Sequence, residues 1–217
     1  MFGRRRERFL ATYVFPPAVA AKLAAARPDL GEAERALAME GLRDWFAICR
    51  SGRGRTFFAM PSAVVDDAWH EFILSTREYR EFCRRALGRY LDHTPSEGVP
   101  DPGMMEAGMR ATWRAACALE GIDERNPDRL PRIFAIDARV GAADGYRFRT
   151  DPGAPEPFRA EGHAPAGGAA GPSAGAGATP YAGGAFAGCG GGGHGSGGSD
   201  GGGSDGGGCG GGGCGGG

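Results

Sequence analysis

The sequence has a single lysine, no long apolar run and almost no net charge. Lys22 is that lysine, and acidic and basic side chains nearly balance to a net charge of −1 over 217 residues. Neither half of the chain has the basic excess that is typical of nucleic-acid-binding proteins, so we expect no specific nucleic-acid binding. No segment approaches the roughly 20 consecutive apolar residues that a membrane span needs, so we expect no membrane span.

Several common site motifs are also absent. The basic loop at residues 51–55 contains two glycines but does not end in Lys-Ser/Thr after a strand, as a phosphate-binding loop would. The residue four positions after His70 is Leu74, so the H-E-x-x-H zinc pattern is not met. The six cysteines include no Cys-x-x-Cys pair. In a chain of this length, they predict free thiols and a cytoplasmic location rather than a disulfide framework.

The composition changes sharply near residue 150. Residues 151–217 contain 30 of the 42 glycines and carry a net charge of −4, against +3 for residues 1–150. A segment this rich in glycine cannot bury enough apolar surface to offset the conformational entropy that it would lose on folding. We therefore expect one folded domain at residues 1–150, followed by a disordered tail at 151–217 that is rich first in Ala, Pro and Gly and then in Gly and Cys.

Apolar residues recur at helical spacing through the first 150 residues, and the signals that begin and end helices lie between them. Ser62 and Asp101 are expected to cap helices directly, and Asp29 and Ser75 to begin capping boxes. No paired strands with hairpin turns are evident before residue 140. These patterns predict an all-α fold, a single bundle of five or six helices, with an extended closing segment at Tyr146–Phe148.

The block from Met60 to Pro95 carries most of the candidate chemistry. It contains two of the four histidines, His70 and His93. Asp66 and His70 lie four residues apart, so on a helix they share a face at the edge of the apolar stripe. Asp67 is expected to point into solvent. The connector at residues 89–95 is predicted to bring His93 back towards the helix pair.

Three interpretations of this cluster remain open. Asp66, His70 and His93 offer two imidazoles and a carboxylate, which are ligands of many zinc and non-haem iron sites. Alternatively the cluster is structural, a pin that fastens the connector to the helix; its residues are Trp69, His70, Tyr79 and His93. A catalytic pair of Cys83 with either histidine would need an accessible thiol of low pKa. Cys83 lies on an apolar stripe, which favours an inert thiol.

These residues also carry a family resemblance. D-x-x-W-H-E-F-I-L from Asp66, Y-x-x-F-C from Tyr79 and L-x-H-x-P from Leu91 resemble the helical domain of bacterial glycine-rich domain-containing proteins. R-L-P-x-x-F-A-I-D from Arg129 fits as well, and the resemblance runs from about Phe15 to Phe148. It implies relatedness to the plant glycine-rich domain proteins, but no biochemical activity. The RNA-recognition segment of some plant members is absent here, and bacterial relatives are expected to have a second histidine where this chain has Asp92.

The sequence therefore predicts an uncharacterised small protein, a non-enzymatic interaction or scaffold module with an unknown protein partner and a flexible glycine-rich arm. The alternative is a zinc- or iron-binding domain with its site at Asp66, His70 and His93. A second alternative makes the tail a substrate for post-translational modification at serines and at Cys189, Cys209 and Cys214. Gly-Cys and Gly-Ser steps of this kind resemble precursors whose cysteines and serines are cyclised to azoles.

Overall fold

The structure, a computed structural model, describes residues 2–94, 101–163 and 188–190. Most of the expected tail lies outside these ranges, including Cys209 and Cys214. Within the described residues, no single helix is both long and apolar enough to cross a membrane.

The described chain is mostly helical, with more helices than the sequence predicted and with short strands in addition. The α-helices of the described residues are α1 (Phe2–Thr12), α2 (Pro17–Ala26), α3 (Glu32–Ser51), α4 (Ala63–Ile73), α5 (Thr76–Phe82), α6 (Pro102–Glu120) and α7 (Arg132–Arg139). A π-helical segment at Cys83–Leu87 continues α5. The all-α expectation is thus wrong in its finer form, because five short strands are described as well.

Two of the expected helix caps are confirmed. Ser62 Oγ accepts a hydrogen bond from the Val65 backbone N–H at 3.1 Å and so begins α4. Asp101 accepts one from the Gly103 N–H at 2.8 Å and begins α6. In both cases a short polar side chain satisfies an N–H group that the first helical turn leaves without a partner.

The two expected capping boxes are wrong. Helix α5 begins after Ser75, but the Ser75 side chain makes no capping hydrogen bond. Helix α3 begins after Gly31, and Asp29 instead accepts hydrogen bonds from the guanidinium of Arg27. Arg27 also contacts Asp67 at 2.9 Å, so Asp67 is paired rather than simply solvated.

Helix α3 lies at the centre of the fold and packs against α1, α2, α4, α6 and α7. On its α4 side, Trp45 and Phe46 contact the Trp69 ring at centroid distances of 5.5 Å and 6.3 Å. Phe46 also contacts Phe82 at 4.6 Å. All four rings are buried. Burial of aromatic surface of this extent is the main favourable term that fixes α4 and α5 against α3.

A β-hairpin closes the other side of the core. Strands β3 (Tyr146–Thr150) and β4 (Phe158–His163) pair antiparallel with a register shift after Arg147. Phe158 is 1% exposed and stacks on Trp113 at 4.6 Å. The expected boundary at residue 150 therefore falls inside this hairpin, and the packed core includes residues beyond it. The sequence prediction of an extended segment at Tyr146–Phe148 is confirmed by β3.

The second sheet joins the tail to the helical block. Strands β1 (Phe58–Ala59) and β2 (Asp92–Thr94) flank β5 (Gly188–Gly190), in the order β1-β5-β2, and both pairings are antiparallel. Position 189 lies opposite Phe58 on one side and His93 on the other. A part of the tail thus adopts regular structure against the strand that carries His93.

The expectation of free thiols throughout is wrong for Cys49, which is buried and disulfide-bonded. Cys83 and Cys117 carry free, buried thiols. Burial raises the pKa of Cys83, and it raises the pKa of Cys117 to about 12. Neither thiol has the lowered pKa that a nucleophilic cysteine needs, so the Cys83 catalytic hypothesis has no support in this geometry.

Asp137 joins α7 to the start of α4 and to β3. Its carboxylate is 1% exposed and accepts hydrogen bonds from the Ser62 hydroxyl at 2.6 Å, from Ala63 N–H at 2.8 Å and from Tyr146 N–H at 2.8 Å. Burial raises the pKa of Asp137, against the opposing effect of these hydrogen bonds. A buried carboxylate with several donors acts as a shared cap for separate elements.

Replacement of Asp137 by alanine is expected to lower the free energy of unfolding by about 3 kcal/mol or more, because buried donors of α4 and β3 lose their acceptor. Urea unfolding followed by tryptophan fluorescence measures this. Asp128 is exposed, and Asp128→Ala is the matched control, expected to stay within about 0.5 kcal/mol of wild type. Equal effects of the two substitutions would contradict the role given to Asp137.

Candidate metal centre

Helix α4 places Asp66 and His70 on one face, as the four-residue spacing predicts. Ser62 fixes the first residue of the helix, and the burial of Trp69 fixes its rotation about its axis. Asp66 Oδ2 lies 3.6 Å from His70 Nδ1. The Asp66 side chain is 12% exposed, whereas the His70 side chain is 49% exposed. The carboxylate thus lies at the edge of the core, and the imidazole is open to solvent on one side.

His93 approaches from β2 and completes the cluster. Its Nε2 lies 3.2 Å from Asp66 Oδ1, and its side chain is 11% exposed. Its ring contacts the Trp69 ring at a centroid distance of 4.7 Å and the His70 ring at 4.1 Å. The His93 ring thus lies between a buried indole and a second imidazole, while one carboxylate faces both histidines.

A buried chain of hydrogen bonds positions β2. Trp69 Nε1–H donates to Tyr79 Oη at 3.0 Å, and the Tyr79 hydroxyl donates to the Leu91 carbonyl at 2.7 Å. Tyr79 and Leu91 are fully buried, and burial raises the pKa of Tyr79, so its hydroxyl stays protonated and donates. Leu91 immediately precedes β2, so this chain sets where His93 lies relative to α4.

The three candidate ligands are close enough to share one ion. One ligand atom each from Asp66, His70 and His93 can be chosen so that all lie within 4.8 Å of one another. Zinc–ligand bonds of about 2.0–2.1 Å place tetrahedral ligand atoms about 3.4 Å apart. The separations of 3.2 Å from His93 Nε2 to Asp66 Oδ1 and of 3.6 Å from His70 Nδ1 to Asp66 Oδ2 are close to that value, although each histidine faces a different oxygen of the carboxylate. No other group of this kind is found among residues 2–94, 101–163 and 188–190.

The structure brings together the candidate metal ligands and the residues of the expected structural pin. Trp69 and Tyr79 belong to the hydrogen-bond chain that positions β2, and Asp66, His70 and His93 form the cluster itself. Asp92, next to His93, is exposed and takes no part in it. Tyr79 is a hydrogen-bonding link and not a ligand, because both of its protein partners are already at hydrogen-bonding distance.

Two positioning residues were not identified from the sequence. Asp137 caps α4 across 74 residues of chain, and Arg27 pairs with Asp67 across 40 residues. The only sequence signal for Asp137 was a single acidic residue within the short helix α7, and helical spacing alone does not reveal that it is buried. Such long-range pairs become visible only when the fold is known.

Tyr79→Phe is expected to cost about 1–2 kcal/mol of stability, because Trp69 loses its acceptor and the Leu91 carbonyl its donor. Amide hydrogen exchange at Asp92–Thr94 should become faster, since β2 is held less firmly against α4. Tyr90 is 47% exposed, and Tyr90→Phe is the matched control, expected to leave both quantities unchanged. Unchanged exchange in Tyr79→Phe would show that β2 is positioned by other contacts.

Comparison with known proteins gives one match. A family model described as UCP032817-like matches residues 5–167, which covers the helical part and the β3–β4 hairpin. No curated protein matches the chain, and neither does any solved structure. The resemblance to glycine-rich domain-containing proteins stays a prediction, since that description does not mention them.

Proposed function

The chain belongs to the UCP032817-like family, and we propose that it binds a transition-metal ion, zinc or iron, through Asp66, His70 and His93. The observation that carries this proposal is the convergence of the three side chains from two separate elements, with ligand atoms within 4.8 Å of one another. The half-exposed His70 leaves a path by which an ion can enter.

The donor set supports zinc or iron over magnesium or calcium, which prefer oxygen ligands. Two imidazoles and one carboxylate are the protein ligands of several catalytic zinc sites and of the facial triad of non-haem iron proteins. Three protein ligands leave coordination positions for water or another small ligand. Such an ion would offset the cost of a largely buried carboxylate, which otherwise depends on the neighbouring imidazoles.

An interaction module remains the second candidate, and one observation favours it. Strand β5, a Gly-Cys-Gly segment of the tail, lies between β1 and β2 as an added antiparallel strand. Strand addition is a common mode of peptide recognition, in which backbone hydrogen bonds provide most of the affinity. The same position would suit an extended segment of a partner protein. The modification of tail cysteines stays a prediction.

The metal proposal is tested by elemental analysis of protein purified without chelators or affinity metals. We expect about one zinc or iron ion per chain in the wild type, since the donor set forms a single site. His70→Ala is expected to lose the ion without loss of helical circular dichroism, because His70 is half exposed. His93→Ala and Asp66→Ala are expected to lose it as well.

Asp92→Ala is the control for these substitutions, because it removes an exposed carboxylate next to His93 that lies outside the cluster. It should retain the ion in full. The proposal fails if the wild type, purified and then equilibrated with Zn²⁺ or Fe²⁺, binds far less than one ion per chain. It fails equally if folded His70→Ala binds as much metal as the wild type.

A further inference from the structure

A second candidate site lies away from the metal cluster, between α1 and the π-helical segment. A cavity of about 280 Å³ is lined by Arg5, Arg6, Phe9, Arg84 and Arg85. Four of its five lining residues are arginines, and the fifth is aromatic. No acidic residue lines it. The overall balance of charge in the sequence concealed this local concentration, because α1 and residues 83–87 are far apart in the chain.

Most of this positive charge is not neutralised by the protein. Arg84 pairs with Glu81 at 2.6 Å, and Arg85 lies within electrostatic reach of the same carboxylate. Within the described part of the chain, however, Arg5, Arg6 and Arg85 form no direct ion pair. The contrast with the cavity beside α7 is clear, because Arg129 and Arg132 there pair with Glu120 and Asp44. Guanidinium groups that converge without counter-charges repel one another, and an anion between them would relieve that repulsion.

Local structure fixes two of the arginines. The Arg85 guanidinium lies over the Phe9 ring at 4.3 Å from its centroid. The Arg6 guanidinium lies against Gly88, where an added Cβ would come within 2.3 Å of it. Gly88 has a φ of +79° and donates its backbone N–H to the Cys83 carbonyl at 2.9 Å, which is the i to i−5 hydrogen bond of a π-helix. Short π-helical segments occur frequently at functional sites, and this one carries Arg84 and Arg85.

We propose that this cavity binds a small phosphate-bearing anion. The planar fork of a guanidinium matches phosphate oxygens in pairs, which makes arginine the preferred residue for this ligand. The cavity is small compared with the usual pocket for a drug-sized ligand. Since Arg85 already covers Phe9, the ring face is not free to stack on a nucleobase. The phosphate groups are therefore the recognised part, whether they belong to a soluble anion or to a lipid headgroup.

The test is isothermal titration of the full chain with inorganic pyrophosphate at physiological ionic strength. The double variant Arg5→Gln/Arg6→Gln should weaken binding by about tenfold or more, because it removes two charge-assisted contacts. Arg4→Gln/Arg8→Gln is the matched control: it removes the same charge from exposed positions of α1 that do not line the cavity. We expect it to change the affinity by less than about threefold, since only long-range screened charge is lost.

Two further experiments are needed. One identifies whether the phosphate belongs to a soluble anion or to a lipid headgroup, and the other shows whether anion binding is independent of the proposed metal site. Vesicles that contain phosphatidic acid are compared with phosphatidylserine vesicles of equal charge; selective binding to the former, lost in Arg5→Gln/Arg6→Gln, would support a lipid headgroup as the ligand. His70→Ala should bind pyrophosphate as the wild type does. The proposal is overturned if neither pyrophosphate nor phosphatidic acid binds, if both arginine variants lose affinity equally, or if His70→Ala abolishes binding.

Discussion

The candidate metal centre depends on the buried hydrogen-bond chain from the Trp69 indole through the Tyr79 hydroxyl to the Leu91 carbonyl. Aromatic packing against α3 orients α4 and α5, but packing alone is non-directional and does not determine where a three-residue strand lies. The hydroxyl of Tyr79 provides that direction. Because it lies in an apolar region where an unmade hydrogen bond is costly, it admits essentially one position for the residues that follow Leu91.

The cluster also contains a carboxylate that little water reaches. The rotation of α4 that buries Trp69 places Asp66 at the edge of the core, so its carboxylate is largely removed from water. A carboxylate in such a place needs cationic or hydrogen-bonding partners. Both imidazoles face it, and either an imidazole N–H donor or a bound cation satisfies it. The structural and metal-binding interpretations therefore use the same three side chains and differ in what satisfies the carboxylate.

The sequence predicted local features well and long-range ones poorly. Helix α4, its cap Ser62 and the shared face of Asp66 and His70 follow from short spacings, which helical geometry converts directly into positions. The same reasoning failed for Asp29 and Ser75. A side chain at a capping-box position can instead form an ion pair, as Asp29 does with Arg27, or make no capping hydrogen bond, as with Ser75. Asp137 and the pairing of Arg27 with Asp67 involve partners 40 or more residues away, and no local pattern contains that information.

Strand β2 is the element through which the tail and the metal cluster can influence each other. It carries His93 towards Asp66 and also exposes backbone groups to β5. Any ion that restrains His93 also restrains β2, and an ordered β2 loses less conformational entropy when β5 pairs with it. By thermodynamic linkage the reverse holds equally, so pairing of β5 would strengthen metal binding by the same factor. The glycines of β5 suit this role, since a strand without bulky side chains can fit closely between two others beside an already crowded cluster of rings.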